Sequence, residues 1–424
     1  MNKPFNEQMK PYLAGSMKSA KAIVMWLAVA SVIGGIVGAV ASAFGHALIA
    51  VNNFRAAHPA IVLGLPLGGL VIVVLYRLLR NTGDRGTNMV ISFIHSSENV
   101  PLRMAPSIFI STVITHLFGG SAGREGAAVQ LGGSIANRLG KLLKLDDNGR
   151  RIAVMCGMSA GFSALFGTPL AATVFSLEVV SVGIMHYSAL VPCATASLIA
   201  YFTAQLLKVP PEVFPISAVP AMNAAVFYKV VLLAALFGLV SVIFCMTLHN
   251  SEHLLRRWMK NAYVRIFAAG CAIVALSALL GGEYLGSGMG IIEEILHHGH
   301  PAKGYAFLLK MLFTALTLGA GFKGGEIVPS LTIGAAFGSA MAGLFGLPME
   351  LAAACGMVGV FCGVTNCPIA SLLISFELFG FEGMPYYLVS VAVSYMLSGY
   401  YGLYSSQKIM YSKTDTRFIN AKTH

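Results

Sequence analysis

The sequence predicts an all-α membrane protein that crosses the bilayer many times, and three observations support this fold class. Of its 424 residues, 56% are hydrophobic and only 11% are charged, whereas soluble domains average about 25% charged residues. Apolar runs recur from residue 22 to residue 397, and several are shorter than the roughly 20 residues of a full span or are interrupted by glycine and proline. The chain also repeats itself. Broken apolar segments at matching positions in two halves are typical of transporters, whose ion sites lie where helices begin and end inside the membrane.

The first element is a polar segment, residues 1–21, which carries four lysines. The first apolar run follows it and leads into further spans rather than a cleavage site, so it is not a signal peptide. Other basic residues cluster between apolar runs, which is typical of cytoplasmic loops and accounts for the net charge of +11. No basic module with interleaved aromatics occurs, which argues against nucleic-acid binding. We therefore expect both termini in the cytoplasm.

The next elements are two membrane repeats, residues 22–206 and 224–405, joined by a linker at 207–223 and followed by a tail at 406–424. Each repeat contains a glycine-rich helix, a break at proline and an apolar segment that ends in glutamate. The matching residues are Cys156-Gly157-Met158 with Cys355-Gly356-Met357, Pro169 with Pro368, and Glu178 with Glu377. Because Glu178 and Glu377 match, we expect them to serve helix ends or the repeat interface rather than chemistry.

Within the first repeat, Glu125 is the main functional candidate. It lies in the run Gly123-Arg124-Glu125-Gly126, directly before an apolar helix. Such a helix start presents unpaired N–H groups and the positive end of the helix dipole, so it favours anions. An ionisable residue at membrane depth is costly and is therefore functional by default. The alternative is a carboxylate that only caps its own helix. In the functional interpretation, protons and anions compete at Glu125.

Within the second repeat, Glu326 lies at the related helix start, in Gly325-Glu326-Ile327-Val328-Pro329. If the two helix starts face one another, two carboxylates lie near one anion path, and their repulsion lets one hold a proton near neutral pH. The alternative is a solvent-facing glutamate balanced by Lys323.

Other chemistries lack support in the sequence. The histidines 297, 298 and 300 stand beside two glutamates but lack a recognised ligand spacing, so we expect a hydrated loop and no metal site. All seven cysteines lie in apolar runs, as buried hydrophobic residues do. No Ser/His/Asp triad, Walker loop or dinucleotide fingerprint occurs. We therefore expect no enzymatic activity and no cofactor.

The chain resembles the CLC family of anion channels and transporters from about residue 25 to residue 410. The resemblance rests on the run Gly123-Arg124-Glu125-Gly126, the paired segment from Gly325 to Pro329 and the stretch Ser159–Glu178. The resemblance implies a homodimer in which each subunit has its own pore and consists of two inverted halves. Helix N-termini then converge on the bound anion, and Glu125 corresponds to the external gating glutamate. The segment Leu403-Tyr404-Ser405 matches the tyrosine motif that lines the pore.

The chain departs from the chloride-selective members of that family at several positions. Their serine-bearing loop is replaced by Gly86-Thr87-Asn88-Met89-Val90, the proline after their GREG is replaced by Ala127, and a carboxylate is added at Glu326. Their intracellular proton glutamate falls at Val179, and no cytoplasmic regulatory domain is expected after residue 424. This pattern resembles the bacterial fluoride-exporting branch and implies a multi-pass protein of the bacterial inner membrane.

The resemblance thus implies a proton-coupled fluoride antiporter; a chloride/proton exchanger or a passive anion channel of the same fold is the alternative. The ions it moves would be fluoride and protons. Fluoride is small and strongly hydrated, so a site must replace its water with close donors. The expected anion-binding residues are the backbone amides of Gly126, Ala127, Ala128, Ile327 and Val328, the Tyr404 hydroxyl, and the loop residues Asn88 and Met89, with Glu125 for gating and Glu326 as a proton relay.

Overall fold

In the computed structural model, the structure describes residues 5–96, 100–216 and 218–423, with side chains from residue 19 onward. This part of the chain contains sixteen α-helices, three short 3₁₀ turns and three short β-strands. The helices are α1 Phe5–Ala57, α2 Leu65–Leu78, α3 Thr87–His95, α4 Met104–Leu117, α5 Glu125–Leu142, α6 Asp147–Phe166, α7 Pro169–Glu178, α8 Leu190–Leu206, α9 Ala224–Trp258, α10 Ala262–Leu280, α11 Met289–Leu296, α12 Ala306–Ala320, α13 Ile327–Phe345, α14 Met349–Thr365, α15 Pro368–Phe379 and α16 Met384–Leu397. The strands are β1 Ser181–Val182, β2 Lys408–Tyr411 and β3 Phe418–Lys422, and the 3₁₀ turns are Pro59–Gly64, Tyr187–Ala189 and Gly282–Tyr284.

Long helices frame the molecule. Six helical stretches among the described residues are long and apolar enough to cross a membrane. The longest, α1, has 53 residues, and α9 has 35, which gives α9 a length of about 50 Å against a hydrocarbon core of about 30 Å. Helix α1 already begins at Phe5, so most of the segment 1–21 is helical; residues 1–4 lie outside the described chain.

The two repeats contain the same broken helix pair. Helix α6 ends at Gly167, whose φ is +77°, and α7 begins at Pro169. In the second repeat α14 ends at Asn366, with φ +57°, and α15 begins at Pro368. A residue in the left-handed region stops the helix, and proline at the first helical position starts the next one. The proline breaks expected from the sequence are therefore confirmed.

Two glutamates fasten the broken helices of one repeat to those of the other. The Glu178 carboxylate accepts hydrogen bonds from the amides of Ile369 and Ala370, at 3.2 and 2.9 Å. The Glu377 carboxylate accepts from the amides of Leu170 and Ala171, both at 2.9 Å. Each carboxylate caps a helix start that has no intrahelical acceptor. The expected role of the pair at helix ends and at the repeat interface is confirmed.

The C-terminal segment is ordered against the membrane repeats, which the sequence did not predict. Strand β2 pairs in parallel with β1 and antiparallel with β3, so the sheet order is β1-β2-β3. The Lys413 ammonium donates to Ser398 Oγ at 2.9 Å, to the Tyr395 carbonyl at 3.1 Å and to Asn366 Oδ1. The otherwise all-α fold therefore includes one small sheet, which fixes the tail to the ends of α14 and α16.

Candidate functional site

The starts of α5 and α13 meet at the centre of the molecule. Gly123 and Gly325 form an antiparallel bridge in which each amide donates to the other carbonyl at 2.7 Å. Only glycine permits this approach, because a Cβ on Gly325 would lie 2.7 Å from the Gly126 amide nitrogen. The positive ends of two helices therefore converge on one place, as the repeat in the sequence predicts.

The free amides at these helix starts are fewer than the sequence suggested. The Ala128 amide donates to the Arg124 carbonyl at 3.0 Å, so its hydrogen is used inside α5. This corrects the expectation that Ala128 binds the anion: the first i→i−4 bond of the helix already engages it. The amides of Gly126 and Ala127 precede that bond, as those of Ile327 and Val328 do in α13, and such N–H groups have no intrahelical acceptor.

Glu125 is fully buried at the start of α5. Its carboxylate accepts from Arg124 Nε at 3.1 Å and from the Arg124 amide at 3.2 Å. The Arg124 guanidinium also forms an ion pair with Glu212. The carboxylate is thus held by a cation and an amide at a helix start, a place that favours negative charge.

Glu326 is half-buried at the start of α13 and points toward the start of α5. A Cβ on Gly126 would lie 3.5 Å from Glu326 Oε2, and this oxygen has no hydrogen-bond partner in the described part of the chain. Lys323 does not balance it with a direct ion pair: its ammonium lies 3.8 Å from Asp84 Oδ2 and 4.5 Å from the centre of the Tyr76 ring. Of the two interpretations of Glu326, the geometry favours the one in which both carboxylates adjoin one path.

A cavity of about 440 Å³ leads from the surface to Glu326. Its charged lining residues are Asp84, Arg85, Glu252, Arg256, Arg265, Lys323 and Glu326. Four cations against three carboxylates give this entrance a slight positive balance, which raises the local concentration of anions. We call this cavity the vestibule. It lies at the basic end of α9, whose last turn carries Arg256 and Arg257.

Tyr404 lies next to the vestibule. It is 1% exposed, and its hydroxyl has no hydrogen-bond partner among the described residues. Its neighbours Leu403 and Ser405 line the vestibule, and its carbonyl accepts from Thr423 Oγ1 at 2.5 Å. A buried hydroxyl without a protein partner is available to a ligand or a water molecule.

The two loop residues expected at the anion path separate in the structure. Asn88 lines the vestibule, and its Oδ1 accepts from the Ser406 amide at 3.0 Å. Met89 instead borders a second cavity of about 280 Å³, together with Arg80, Asn81 and Pro101. Consecutive residues at a helix start point in different directions, which explains the difference.

Two site residues were missed in the sequence. Gln130 lines the vestibule from α5 and donates to Thr87 Oγ1 at 3.2 Å; a polar side chain in an apolar helix was the signal for it. Glu212 pairs with Arg124 from the linker. Because the linker belongs to neither repeat, no internal match indicated this glutamate.

Comparison with known proteins gives a consistent result. Residues 68–399 match the family model described as voltage gated chloride channel. The chain is 37% identical over 397 residues to a chloride/fluoride channel protein of Pseudomonas syringae pv. tomato. The matched stretch covers 92% of this chain and 88% of that protein.

Two solved structures share the architecture. The crystal structure of a CLC-type fluoride/proton antiporter matches with a TM-score of 0.87 and 36% identity, over 91% of this chain and 98% of that one. A slow cyanobacterial Cl⁻/H⁺ antiporter, 20% identical, matches with a TM-score of 0.75 over 88% of this chain and 94% of that one. The second likeness concerns the fold alone.

Proposed function

Since this chain belongs to the voltage-gated chloride channel (CLC) family, we propose that it exports fluoride from the cytoplasm in exchange for protons. Proteins of this family are anion channels and transporters rather than enzymes. Two similar proteins support the choice of fluoride: one is named a chloride/fluoride channel protein, and the other a CLC-type fluoride/proton antiporter.

The observation that carries the proposal is the meeting of two helix starts, each with its own carboxylate. Ionised Glu125 occupies the place at the start of α5 that an anion would take. When Glu125 binds a proton, it loses the charge that the amides and the helix dipole attract, and an anion replaces it. Proton binding and anion binding are then alternatives at one place, which is what exchange requires.

Fluoride is the anion that suits close backbone donors. It is small and holds its hydration shell strongly, so the site must supply donors that replace the lost water. The amides of Gly126, Ala127, Ile327 and Val328 supply four such donors, and Tyr404 adds a hydroxyl without a protein partner. The loop at Asn88 offers no serine hydroxyl of the kind found in chloride-selective members.

Glu326 is the proton relay in this proposal. Position 179, where chloride exchangers carry their intracellular proton glutamate, holds a fully buried valine. Glu326 borders the vestibule and lies beside the start of α5. A proton released by Glu125 therefore reaches the cytoplasm through Glu326, by the entrance that fluoride uses.

The proposed setting is a homodimer in the bacterial inner membrane with both termini in the cytoplasm. The basic end of α9 and the vestibule lie on one face, and α1 begins with a lysine-bearing segment. The positive-inside bias assigns both to the cytoplasmic side.

The test is ion movement in liposomes that contain the purified protein. We expect a pH gradient to drive fluoride uphill, and chloride efflux to be much slower than fluoride efflux. The Glu125→Gln variant should remain folded and lose the proton-driven component. Uphill fluoride transport by this variant at the wild-type rate would exclude Glu125 as the coupling residue.

The same measurement separates the alternatives. Fluoride flux that only dissipates its own gradient would identify a passive channel. Chloride movement as fast as fluoride movement would leave a general anion exchanger.

A further inference from the structure

The gate has an outer partner that the exchange scheme does not use. Arg124 lies between two carboxylates: its Nε donates to Glu125 Oε1 at 3.1 Å, and its Nη2 donates to Glu212 Oε1. The side chains of Glu125, Arg124 and Glu212 are 0%, 15% and 19% exposed, respectively. Solvent therefore reaches Glu212 and part of the Arg124 side chain, but not Glu125.

The linker holds Glu212 in place from both repeats. A Cβ on Gly167, at the end of α6, would lie 2.6 Å from Pro211 Cβ, so the linker packs directly on the first repeat. The Phe214 amide donates to the Leu378 carbonyl of α15 at 2.7 Å. Two prolines, Pro210 and Pro211, precede the glutamate and restrict its backbone. Glu212 therefore lies on a linker that contacts both repeats and precedes the start of α9, whereas the vestibule adjoins the end of α9.

We propose that Glu212 is a positioning residue for the gate: it engages one side of the Arg124 guanidinium, shares that charge with Glu125 and thereby sets how readily Glu125 takes up a proton from outside. This inference rests on the proposed gating role of Glu125. A guanidinium presents five donors in a planar fork, so it serves two carboxylates at once. When Glu125 is protonated and moves away, Arg124 remains anchored through Glu212 at the mouth of the helix start, where the departing anion passes.

The electrostatic consequence has a definite sign. Without Glu212, Arg124 keeps its full charge for Glu125 and stabilises the ionised carboxylate more strongly. A lower external pH is then needed to protonate the gate. The other ionisable groups near the site are His116 of α4, whose Nε2 lies 3.4 Å from the Gly123 carbonyl, Glu326 of α13 and Tyr404, and the substitution replaces none of them.

The experiment measures anion flux in liposomes as a function of external pH for wild type, Glu212→Gln and Glu283→Gln. Glu283 is a matched control because it also pairs with a cation, Lys303, at 2.9 Å, and contacts neither Arg124 nor Glu125. We expect Glu212→Gln to shift the pH of half-maximal flux down by about one unit and Glu283→Gln to leave it unchanged. Coincident profiles for Glu212→Gln and wild type, or an equal shift in Glu283→Gln, would overturn the proposal.

A second variant is used in case Glu212→Gln does not fold. Glu212→Asp keeps the charge on a shorter side chain, so its profile should lie between wild type and Glu212→Gln; a wild-type profile for Glu212→Asp when Glu212→Gln does not fold would also overturn the assignment. If the wild-type protein moves chloride and not fluoride, the proposed function fails. The same comparison made on chloride flux still decides the role of Glu212.

Discussion

Among single residues, Glu326 combines two properties that rarely coincide in a membrane protein. It borders the vestibule, and one of its oxygens is buried without a protein hydrogen-bond partner in the described chain. An orphaned carboxylate oxygen is costly unless a proton or a ligand satisfies it. This oxygen lies beside Gly126, at the helix start where we propose that the anion binds.

Glu326→Gln should therefore lower proton flux at least about tenfold, as expected on removal of a proton-transfer group, while the protein remains folded. The matched control is Glu252→Gln, which neutralises a half-exposed carboxylate of the same vestibule that pairs with Arg256 at 2.7 Å. The measurement is the number of protons moved per fluoride in liposomes. A wild-type ratio in Glu326→Gln would assign Glu326 to structure.

The sequence identified Glu125 and Glu326 because a charge in an apolar chain is conspicuous. It could not exclude Ala128, since the residue at which the first helical hydrogen bond forms depends on where the helix begins. It could not place Met89 either, because side-chain direction depends on the packing of α3. No pattern in the sequence indicated a role for Glu212, because its partner Arg124 lies 88 residues away along the chain.

At the level of elements, hydrogen bonds to the Glu178 and Glu377 carboxylates join the two repeats, because each carboxylate caps a helix start of the other repeat. Glu178 and Glu377 carry out the same task on opposite helix starts, but Glu178 is the more deeply buried, at 6% exposure. Since Glu178 precedes the position of the missing proton glutamate, a role in proton transfer is the alternative to a role in capping.

We expect Glu178→Gln and Glu377→Gln each to lower the free energy of unfolding by about 1–3 kcal/mol, because a charged acceptor of two amide hydrogen bonds is lost. The loss should be greater for Glu178, and the proton-to-fluoride ratio should stay at the wild-type value in both. Thermal unfolding monitored by size-exclusion chromatography checks the first expectation, and liposome flux checks the second. Loss of proton flux in a stable Glu178→Gln protein would place this residue on the proton path.

Helix pairs with proline breaks were predictable because proline and glycine act locally. The sheet was not, because β2 pairs with a strand more than 200 residues earlier, at Ser181 and Val182. Strands of two to five residues leave too short an alternation to detect.

Across the whole molecule, the C-terminal hairpin is attached to the segment that borders the vestibule. Thr423 donates to the Tyr404 carbonyl, and Lys413 binds the ends of α14 and α16. The tail therefore contributes to the position of Tyr404, whose hydroxyl is a proposed anion ligand.

Lys413→Met should loosen this attachment, because three oxygens lose their donor. We expect faster hydrogen exchange in residues 400–423 and a several-fold slower fluoride flux. Lys422→Met, at an exposed position of β3, is the control and should change neither. Unaltered exchange in Lys413→Met would show that the hairpin is held by its strands alone.

The bridge between Gly123 and Gly325 has a consequence for how the protein turns over. Two hydrogen bonds of 2.7 Å join the halves at their centre, and the caps at Glu178 and Glu377 join them again nearby. Tilting one half against the other would break these hydrogen bonds, so we expect the backbone to stay in place during transport. The moving parts are then a few side chains that change rotamer. Such changes are far faster than the motions of domains, so we expect each step of transport to occur on the time scale of side-chain motion.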